Sequence, residues 1–288
     1  MKTINMDILS SPWTTPHHRS SIGNHRWFAI GDVHGQDAVF EVALKTLSAI
    51  TDTPFSLVLL GDLIDRGPNS LRCLELAEQA QDISGATSVV KLPGNHELMM
   101  LDFAHNRDEA DIWLDNGGYE TLESMKPRTG PIKTVPDIIK AIKTTTPAYW
   151  LNGDFPTHAR IGDYVFVHGG ISPHQDTASF LAKPAEKARL QAMDGEHWAW
   201  MRGHFLRYPG SWPNNQRLTV VHGHTPAYGS HIMSPPEFKK CLFPDGRRRV
   251  CLDGGATIIP QLLIGEFFEN SVRVHTPCET SKSPVLVW

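Results

Sequence analysis

The feature that most constrains the chain is a short charged block that follows directly on an apolar run. The run from Phe55 to Leu60 is largely apolar and predicts a buried strand. It stops at a glycine, and the next residues read Gly61-Asp62-Leu63-Ile64-Asp65-Arg66-Gly67. Charged side chains at the end of a buried strand cost desolvation free energy unless they are paired. A metal cation would pair with Asp62, and a phosphate would pair with Arg66.

The same arrangement recurs along the chain. Five further apolar runs also end where a glycine lies beside Asp, Asn or His, and they cover residues 26–30, 88–92, 164–167, 218–221 and 249–252. Apolar residues at helical spacing separate the first strands, over residues 38–50 and 70–80. This alternation predicts an α/β fold with a central sheet. Loops at the carboxyl ends of strands are where α/β folds place their sites.

The remaining segments fit one catalytic domain over residues 25–288. Residues 98 to about 150 carry apolar residues at helical spacing, broken at Gly117-Gly118 and Gly130-Pro131, and predict a helical insertion that covers one side of the site. A tryptophan-bearing stretch over 196–206 is predicted to be helical. The last strands are predicted near residues 258–268 and 271–275 as an antiparallel meander. Residues 1–24 are predicted to be a loosely ordered leader.

Composition narrows the function classes. With 288 residues and a formal net charge of -4, the chain can bury a sizeable core and has no electrostatic footprint for nucleic acid or an anionic membrane. No apolar stretch is long enough to span a bilayer, and no secretory signal is evident, so a cytoplasmic location is expected.

Cys241 and Cys251 could face each other across a hairpin, but reduced, partly buried thiols are the favoured interpretation for all four cysteines.

Six residues of the glycine-flanked blocks are candidate metal ligands: Asp32, His34, Asp62, Asn95, His168 and His224. These oxygen and imidazole donors, without thiolate, suit Mn, Fe or Zn. The set is too large for one ion with open positions, so two divalent ions that share Asp62 are predicted. Two ions roughly 3.5–4 Å apart can clamp a phosphate and acidify a water for in-line attack at phosphorus. No phosphoenzyme is then required.

The leaving alkoxide still needs a proton. His96 follows Asn95 directly and is the candidate general acid, with Asp65 as the carboxylate that orients it. Arg66 and Arg202 are candidate phosphate-binding residues, and Asn95 is counted with them. Each residue also has a structural alternative. A lone Asp can cap a helix, Asp65 can simply pair with Arg66 at the surface, and Arg202 can be a solvated helix residue.

The sequence leaves alternative roles for two groups of histidines. If its strand continues, His222 points to the same side as His224; His224 is favoured as the ligand and His222 as a neighbour. The other histidines, among them His197 and His275, have no evident partner and are expected to be mostly solvated.

Three blocks in order carry a family resemblance: Gly31-Asp32-Val33-His34-Gly35, then Gly61-Asp62-Leu63-Ile64-Asp65-Arg66-Gly67, then Gly94-Asn95-His96-Glu97. Further matches are His168-Gly169-Gly170, Trp200-Met201-Arg202, Gly223-His224-Thr225-Pro226 and Leu252-Asp253-Gly254-Gly255-Ala256. From about residue 26 to residue 265 the chain resembles the phosphoprotein phosphatase family of calcineurin-like metallophosphoesterases, and within it the bacterial and bacteriophage, lambda phosphatase-like branch. The C-terminal tyrosine motif of the eukaryotic branch is missing.

The resemblance implies a four-layer α/β/β/α sandwich and a dinuclear site activated by manganese. It assigns Asp32, His34 and Asp62 to one ion, and it assigns Asp62, Asn95, His168 and His224 to the other. It pairs His96 with Asp65 as the acid and gives phosphate binding to Arg66 and Arg202.

The expected activity is hydrolysis of phosphoserine and phosphothreonine in proteins, so the expected partner is a phosphoprotein or phosphopeptide. The alternative is a symmetrical diadenosine tetraphosphate hydrolase, a relative with the same core. Those hydrolases tend to lack the acid of the Asp65-Arg66 pair and to read Asn-His-Asp where this chain has Glu97, which favours the phosphatase. A catalytically silent scaffold would be expected to lose ligands or the acid, and every one of these positions is intact here.

Overall fold

A computed structural model describes residues 6–16, 20–105, 110–185, 197–209, 212, 217–226 and 235–279. Ten strands form two sheets. The six-stranded sheet contains, in spatial order, β1 (Met6–Ser10), β10 (Ser271–Glu279), β9 (Ile264–Phe268), β2 (Arg26–Ile30), β3 (Phe55–Leu59) and β4 (Ser88–Lys91). The four-stranded sheet contains β5 (Ala159–Ile161), β6 (Tyr164–Phe166), β7 (Thr219–His222) and β8 (Arg249–Cys251).

Strand direction brings the glycine-flanked blocks to one region. Strands β2, β3 and β4 run parallel, as do β6, β7 and β8. Strands β9, β10 and β1 extend the larger sheet by antiparallel pairing. Because parallel strands end at the same edge of their sheet, the loops after them converge there.

The helices α1 to α10 lie mostly between β2 and β5. In chain order they are α1 (Asp37–Ile50), α2 (Ser70–Glu78), α3 (Ala80–Ser84), α4 (Asn95–Ala104), α5 (Ala110–Trp113), α6 (Tyr119–Thr129), α7 (Val135–Thr145), α8 (Ala148–Asn152), α9 (Thr177–Leu181) and α10 (Gly203–Arg207). A π-helical turn, Leu114–Gly118, joins α5 to α6. Helix α2 begins as predicted, since Asn69 accepts a hydrogen bond from the Arg72 backbone N–H. No helix of the described part could cross a bilayer.

The alternation of side chains along β3 shows how the layers stack. Leu57 and Leu59 pack in one buried cluster with apolar residues of α1 and α2. Val58 and Leu60 point the other way and pack with Phe166 and other residues of the second sheet. On the far side of that sheet, a third cluster contains Val165, Val167 and Val220 with Trp198, Phe180 and Phe205. The predicted α/β/β/α layering is therefore confirmed.

The leader prediction is wrong for residues 6–10. They form the edge strand β1, paired with β10 from Met6 opposite Glu279 to Ser10 opposite His275. Ser20 is also buried, and its hydroxyl donates to the Arg217 carbonyl. The sequence of this segment does not reveal the pairing because the partner of Ser10, His275, lies 265 residues away in the chain. Residues 1–5 and 17–19 lie outside the described part.

Two other boundaries differ from prediction. The helix predicted over 196–206 forms only from Gly203, because the Trp200 N–H donates to the His197 carbonyl in a turn and Arg202 has non-helical backbone angles. Residue 196 is outside the described part. The strand predicted near residue 258 starts at Ile264, after Pro260, which cannot donate to a sheet ladder.

A charged cluster is buried between β2, β9 and β10. The carboxylate of Glu266 contacts the guanidinium groups of Arg26 and Arg273, and it lies 2.7 Å from His275 Nε2. His275 is 1% exposed and its Nδ1 lies 2.7 Å from Ser10 Oγ, so the prediction that it is solvated is wrong. His197 is also fully buried. The cluster fixes the register of the strands that carry it.

Replacing Glu266 with Gln should lower the free energy of unfolding by about 3 kcal/mol at neutral pH, because two arginines lose their buried counter-charge. Burial alone would raise the pKa of Glu266, but hydrogen bonds from His275 and Arg273 lower it below 4.5. A carboxyl with a depressed pKa stabilises the fold above pH 4.5 and loses that contribution as pH falls through its folded pKa. Urea titrations should therefore show the gap between the two proteins narrowing in acid. Glu41→Gln, on the surface of α1, is the control, and an equal change in both variants would contradict the prediction.

Candidate metal centre and active site

The candidate ligands meet where the two sheets adjoin. Asp32, Asp62 and Asn95 follow β2, β3 and β4, while His168 and His224 follow β6 and β7. All six predicted ligands, including His34, are at most 5% exposed. His168 links the sheets, since its Nδ1 donates to the Leu60 carbonyl at 2.8 Å and its Nε2 lies 3.0 Å from Asn95 Oδ1.

Asp62 is the centre of this arrangement. Its Oδ2 lies 3.3 Å from His168 Nε2, 3.6 Å from His34 Nε2 and 3.9 Å from His96 Nε2. Its Oδ1 accepts the backbone N–H of His96 at 3.0 Å. Burial opposes the charge of Asp62, but the imidazoles of His168 and His96 hold its pKa well below the usual range. An anionic oxygen therefore faces several imidazole nitrogens.

The imidazoles are oriented to present Nε2 to the centre. His34 Nδ1 donates to the Ile64 carbonyl at 3.0 Å, and burial lowers the pKa of His34 to about 3, so its Nε2 carries a lone pair. Burial also lowers the pKa of His168, but Asp62 raises it to about 9. His224 Nε2 is buried with no hydrogen-bond partner among the described residues. A positive charge is favoured beside Asp62, and a divalent ion would also give His224 Nε2 a partner.

The geometry supports two donor groups that share one carboxylate. Donor atoms of His34, Asp62 and His96 lie within 4.8 Å of one another, and so do those of Asp62, His168 and His224. The first group contains His96 where Asp32 was expected. Asp32 is close, with Oδ2 3.9 Å from His34 Nε2, but both of its oxygens accept the His224 backbone N–H at 3.0 Å. The residues present fit a dinuclear metal site centred on Asp62.

Asp253 is a neighbour that the sequence reasoning left without a role. Its Oδ1 accepts the Gly255 N–H at 2.8 Å, and its carboxyl is hydrogen-bonded to that of Asp32. Burial raises the pKa of both groups, and Asp253 reaches about 6. Two carboxyls in contact within a dry site favour a shared proton or a cation. The sequence did contain a signal for a role of Asp253 in the site: the block from Leu252 to Ala256 follows a strand, as the blocks that carry the ligands do.

Backbone conformation is unusual around the centre. In the described part, seven residues other than glycine have positive φ, and five of them are His34 (45°), Asp62 (51°), Asp65 (72°), Arg66 (68°) and His224 (66°). Such left-handed backbone costs free energy and concentrates at functional sites, where the surrounding structure enforces it. Strand β7 ends at His222, and His224 has left-handed backbone. The two side chains therefore do not point to the same side, as they would if the strand continued. His222 packs edge-on to the Phe205 ring, 4.9 Å away, while His224 lies 5.1 Å from the His168 ring.

Glu97 is a second residue whose role the sequence reasoning missed. Its fully buried carboxylate accepts four backbone N–H groups: Asp62 at 2.9 Å, Leu63 at 2.7 Å, Ile64 at 3.3 Å and Gly94 at 2.7 Å. Glu97 thereby fixes the turn that carries Asp62 to the start of α4. Glu97 lies three residues after Gly94, at the N3 position of α4. A glutamate at N3 often accepts backbone N–H groups at a helix start, and this position was the sequence signal for its anchoring role.

The contact predicted between His96 and Asp65 is formed. His96 Nδ1 lies 2.7 Å from Asp65 Oδ2, and both side chains are buried. The Asp65 carboxylate also accepts hydrogen bonds from Trp113 and Thr121 of the helical insertion. Asp65 is therefore not in a surface pair with Arg66, and that alternative is excluded.

Arg66 and Arg202 lie at the mouth of the site with exposed side chains. Arg66 Nε donates to the Asn116 carbonyl at 3.2 Å, and Arg202 Nη1 donates to Thr225 Oγ1 at 3.1 Å. Burial lowers the pKa of Arg202, the carboxylates of Asp62, Asp253 and Asp32 oppose this shift, and the charge of Arg66 adds to it. An oxyanion between them would relieve this repulsion.

The three cysteines whose side chains are described conform to the favoured interpretation. Cys73, Cys241 and Cys251 are buried and form no disulfide bond in the described structure, and the side chain of Cys278 lies outside it. Cys241 and Cys251 do lie across from each other, since the Cys251 N–H donates to the Cys241 carbonyl at 2.9 Å.

The family model for the calcineurin-like phosphoesterases matches residues 25–259. Serine/threonine-protein phosphatase 1 of Salmonella typhimurium is 43% identical over 96 residues, which are 33% of this chain and 39% of that protein. A symmetrical bis(5'-nucleosyl)-tetraphosphatase of Acidovorax ebreus is 28% identical over 176 residues, 58% of this chain and 52% of that protein. These matches thus span about two fifths to one half of the relatives' length.

A solved structure supports the fold. The cold-active protein-tyrosine phosphatase of a psychrophilic Shewanella superimposes with a TM-score of 0.51 at 23% identity, covering 84% of this chain and 75% of that one. The resemblance inferred from the glycine-flanked blocks is confirmed: the chain belongs to the calcineurin-like phosphoesterase family.

Proposed function

We propose that this protein is a metal-dependent phosphomonoesterase that acts on phosphoserine and phosphothreonine in proteins. The observation that carries the proposal is the position of Asp62 Oδ2. It lies between the Nε2 atoms of three buried histidines, one of which is paired with a buried carboxylate. Two arginines at the mouth complete a site for a phosphate dianion.

We assign Asp32, His34 and Asp62 to one ion and Asp62, Asn95, His168 and His224 to the other, with manganese as the expected metal. When bound, two such ions supply Lewis acidity that neutralises phosphate charge and lowers the pKa of a water at phosphorus. The Nε2 atoms of His222 and His224 both lack a hydrogen-bond partner in the described structure. The ring contacts favour His224 as the ligand, because it lies beside His168 whereas His222 packs against Phe205.

The protein side chains then handle the phosphate and the protons. Arg66 and Arg202 bind phosphate oxygens through their planar forks, and we assign Asn95 as a further phosphate contact. The water oxygen forms a new bond to phosphorus as the bond to the serine oxygen breaks. His96 Nε2 gives its proton to that departing oxygen. The attacking water passes one proton to bulk solvent, from which His96 is protonated again, so alcohol and inorganic phosphate leave. Asp65 holds the imidazole in place throughout.

A cavity of 430 Å³ beside Arg66 favours a peptide over a polyphosphate. It is lined by Leu114–Gly117, Tyr119, Glu120 and Arg66 itself. Asp115 and Glu120 are exposed there. Their negative charge would repel the further phosphates of a dinucleotide tetraphosphate, whereas a peptide flanking a single phosphate meets no such repulsion. The dinucleotide hydrolase named among the relatives is therefore the second candidate.

A competition experiment tests the proposal. The protein is stripped of metal, reloaded with manganese and given a phosphoserine peptide and diadenosine tetraphosphate together. Phosphate release from the peptide with the dinucleotide intact is the expected result. Formation of ADP while the peptide persists would assign the protein to the second candidate, and no product from metal-loaded protein would contradict both.

Manganese should raise the melting temperature of the metal-free protein. An ion bound only to the folded state stabilises it by about 2.7 kcal/mol at a concentration one hundred times its Kd. Because Asp62 belongs to both donor groups, Asp62→Asn should abolish most of this shift. His174→Asn, at an exposed position, should retain it. An undiminished shift in Asp62→Asn, measured by differential scanning fluorimetry, would place the ions elsewhere.

A further inference from the structure

The helical insertion reaches the carboxylate of the acid pair. Besides His96, two side chains donate to Asp65, and both lie outside every glycine-flanked block. Trp113 Nε1 lies 3.0 Å from Oδ2 and 3.2 Å from Oδ1, and Thr121 Oγ1 lies 2.5 Å from Oδ1. Trp113 ends α5 and Thr121 lies in the first turn of α6, so the π-helical turn between them brings both donors to one carboxylate.

These donors determine how the carboxylate is oriented. An aspartate with one partner can rotate about its Cβ–Cγ bond, because one oxygen replaces the other at little cost. Here Oδ2 is engaged by His96 and Trp113, and Oδ1 is engaged by Thr121, so rotation would break buried hydrogen bonds. The direction of the His96 Nδ1 bond is fixed as a result, and His96 Nε2 stays 3.9 Å from Asp62 Oδ2.

The contact also holds the backbone of Asp65. The Asp65 N–H lies 3.1 Å from Thr121 Oγ1 and 2.9 Å from Ser70 Oγ, and these two hydroxyls lie 2.9 Å apart. Asp65 has the left-handed φ of 72°, which needs such support. All four side chains of this network, those of Asp65, Ser70, Trp113 and Thr121, are at most 1% exposed. Water cannot replace a lost donor without opening the core.

We infer that Trp113 and Thr121 are positioning residues for proton delivery by His96. The inference rests on the proposed function and deepens it: the insertion acts on the catalytic step through Asp65, beyond covering one side of the site. An effect through the acid falls on substrates whose leaving group needs a proton and spares those whose leaving group does not.

The test compares two substrates in matched variants. Trp113→Phe and Thr121→Val remove the donors and keep most of the volume, whereas Thr121→Ser keeps the hydroxyl. Trp150→Phe is the control for a lost indole N–H, since Trp150 is fully buried and its Nε1 has no partner in the described structure. For each variant, kcat and KM are measured on a phosphoserine peptide, which has a poor leaving group, and on p-nitrophenyl phosphate, which has a good one. The His96 ring protons are followed by NMR in parallel.

The expected result is a loss of about 10-fold or more in kcat on the phosphopeptide for Trp113→Phe and Thr121→Val, on the scale of groups that orient a site residue. KM, metal content and p-nitrophenyl phosphate turnover should change little, and Thr121→Ser and Trp150→Phe should resemble the wild type. The slowly exchanging Nδ1 proton of His96 should weaken only in the two donor-deleted variants.

Equal losses on both substrates, or a matching loss in Trp150→Phe, would show a structural role and overturn the inference. Full phosphopeptide activity in Thr121→Val would also overturn it, and this variant decides the matter if Trp113→Phe fails to fold. A wild-type protein inactive on both substrates would refute the proposed function instead. In that case the His96 proton signal still tests the positioning.

Discussion

Replacing His96 with Asn should lower kcat on a phosphoserine peptide by about 100-fold or more, while the bound metal stays unchanged. The magnitude is that of a lost general acid, since asparagine cannot protonate the departing serine oxygen. Metal content should persist because none of the six residues to which we assign the ions is changed, and His96 Nδ1 is hydrogen-bonded to Asp65. Steady-state kinetics and metal analysis of the same preparation measure both quantities.

The control is His105→Asn, an exposed position directly after the same helix. It should leave both quantities unchanged. Full activity of His96→Asn on the phosphopeptide would remove His96 from the mechanism. Activity on p-nitrophenyl phosphate is the weaker readout, because nitrophenolate leaves without a proton.

Replacing Glu97 with Gln should lower the free energy of unfolding by about 3 kcal/mol and reduce metal affinity as well. Four buried backbone N–H groups depend on the two oxygens of Glu97, and an amide presents a donor where one oxygen was. Hydrogen bonds to a buried charged group contribute more than neutral ones, and the unsatisfied donors carry a desolvation cost. Metal affinity should fall because the turn held by Glu97 carries Asp62.

Chemical denaturation and a manganese titration measure the two effects. Glu78→Gln is the matched control, since Glu78 pairs with Lys91 in a partly exposed ion pair of little expected value. If Glu97→Gln is no less stable than Glu78→Gln, the anchoring role is wrong.

The parts of the site that follow strands were predictable from the sequence. Asp32, Asp62 and Asn95 come at the ends of consecutive parallel strands, and strand direction alone brings them to one edge. His168 and His224 were accessible by the same logic in the second sheet. Their donor chemistry grouped them with the first three in one predicted site, whereas the stacking of two sheets was implied only by the family resemblance.

Residues whose role depends on long-range contacts were not predictable. Nothing near Trp113 or Thr121 in the chain indicates a partner at Asp65, because a tryptophan and a threonine in a helical region are usually part of the core. His275 was expected to be solvated, since its partner Glu266 and the edge strand at Ser10 meet it only after the sheet forms. Gly117 breaks the helix as predicted, with φ 112°, but the sequence does not reveal its close approach to Arg66, where a Cβ would lie 2.6 Å from Arg66 Cγ.

At Asp65 and Arg66, the left-handed backbone places side chains that we propose for function and at the same time lowers the stability of the fold. Each such residue costs about 1 kcal/mol relative to a glycine, which adopts this conformation freely. Arg66 is exposed, so a glycine there would sacrifice little packing while removing the proposed phosphate contact. A library of variants ranked by heat resistance alone would therefore enrich proteins that lack this contact. Engineering of this protein for durability should score turnover in the same screen and look for gains in segments remote from the candidate metal centre.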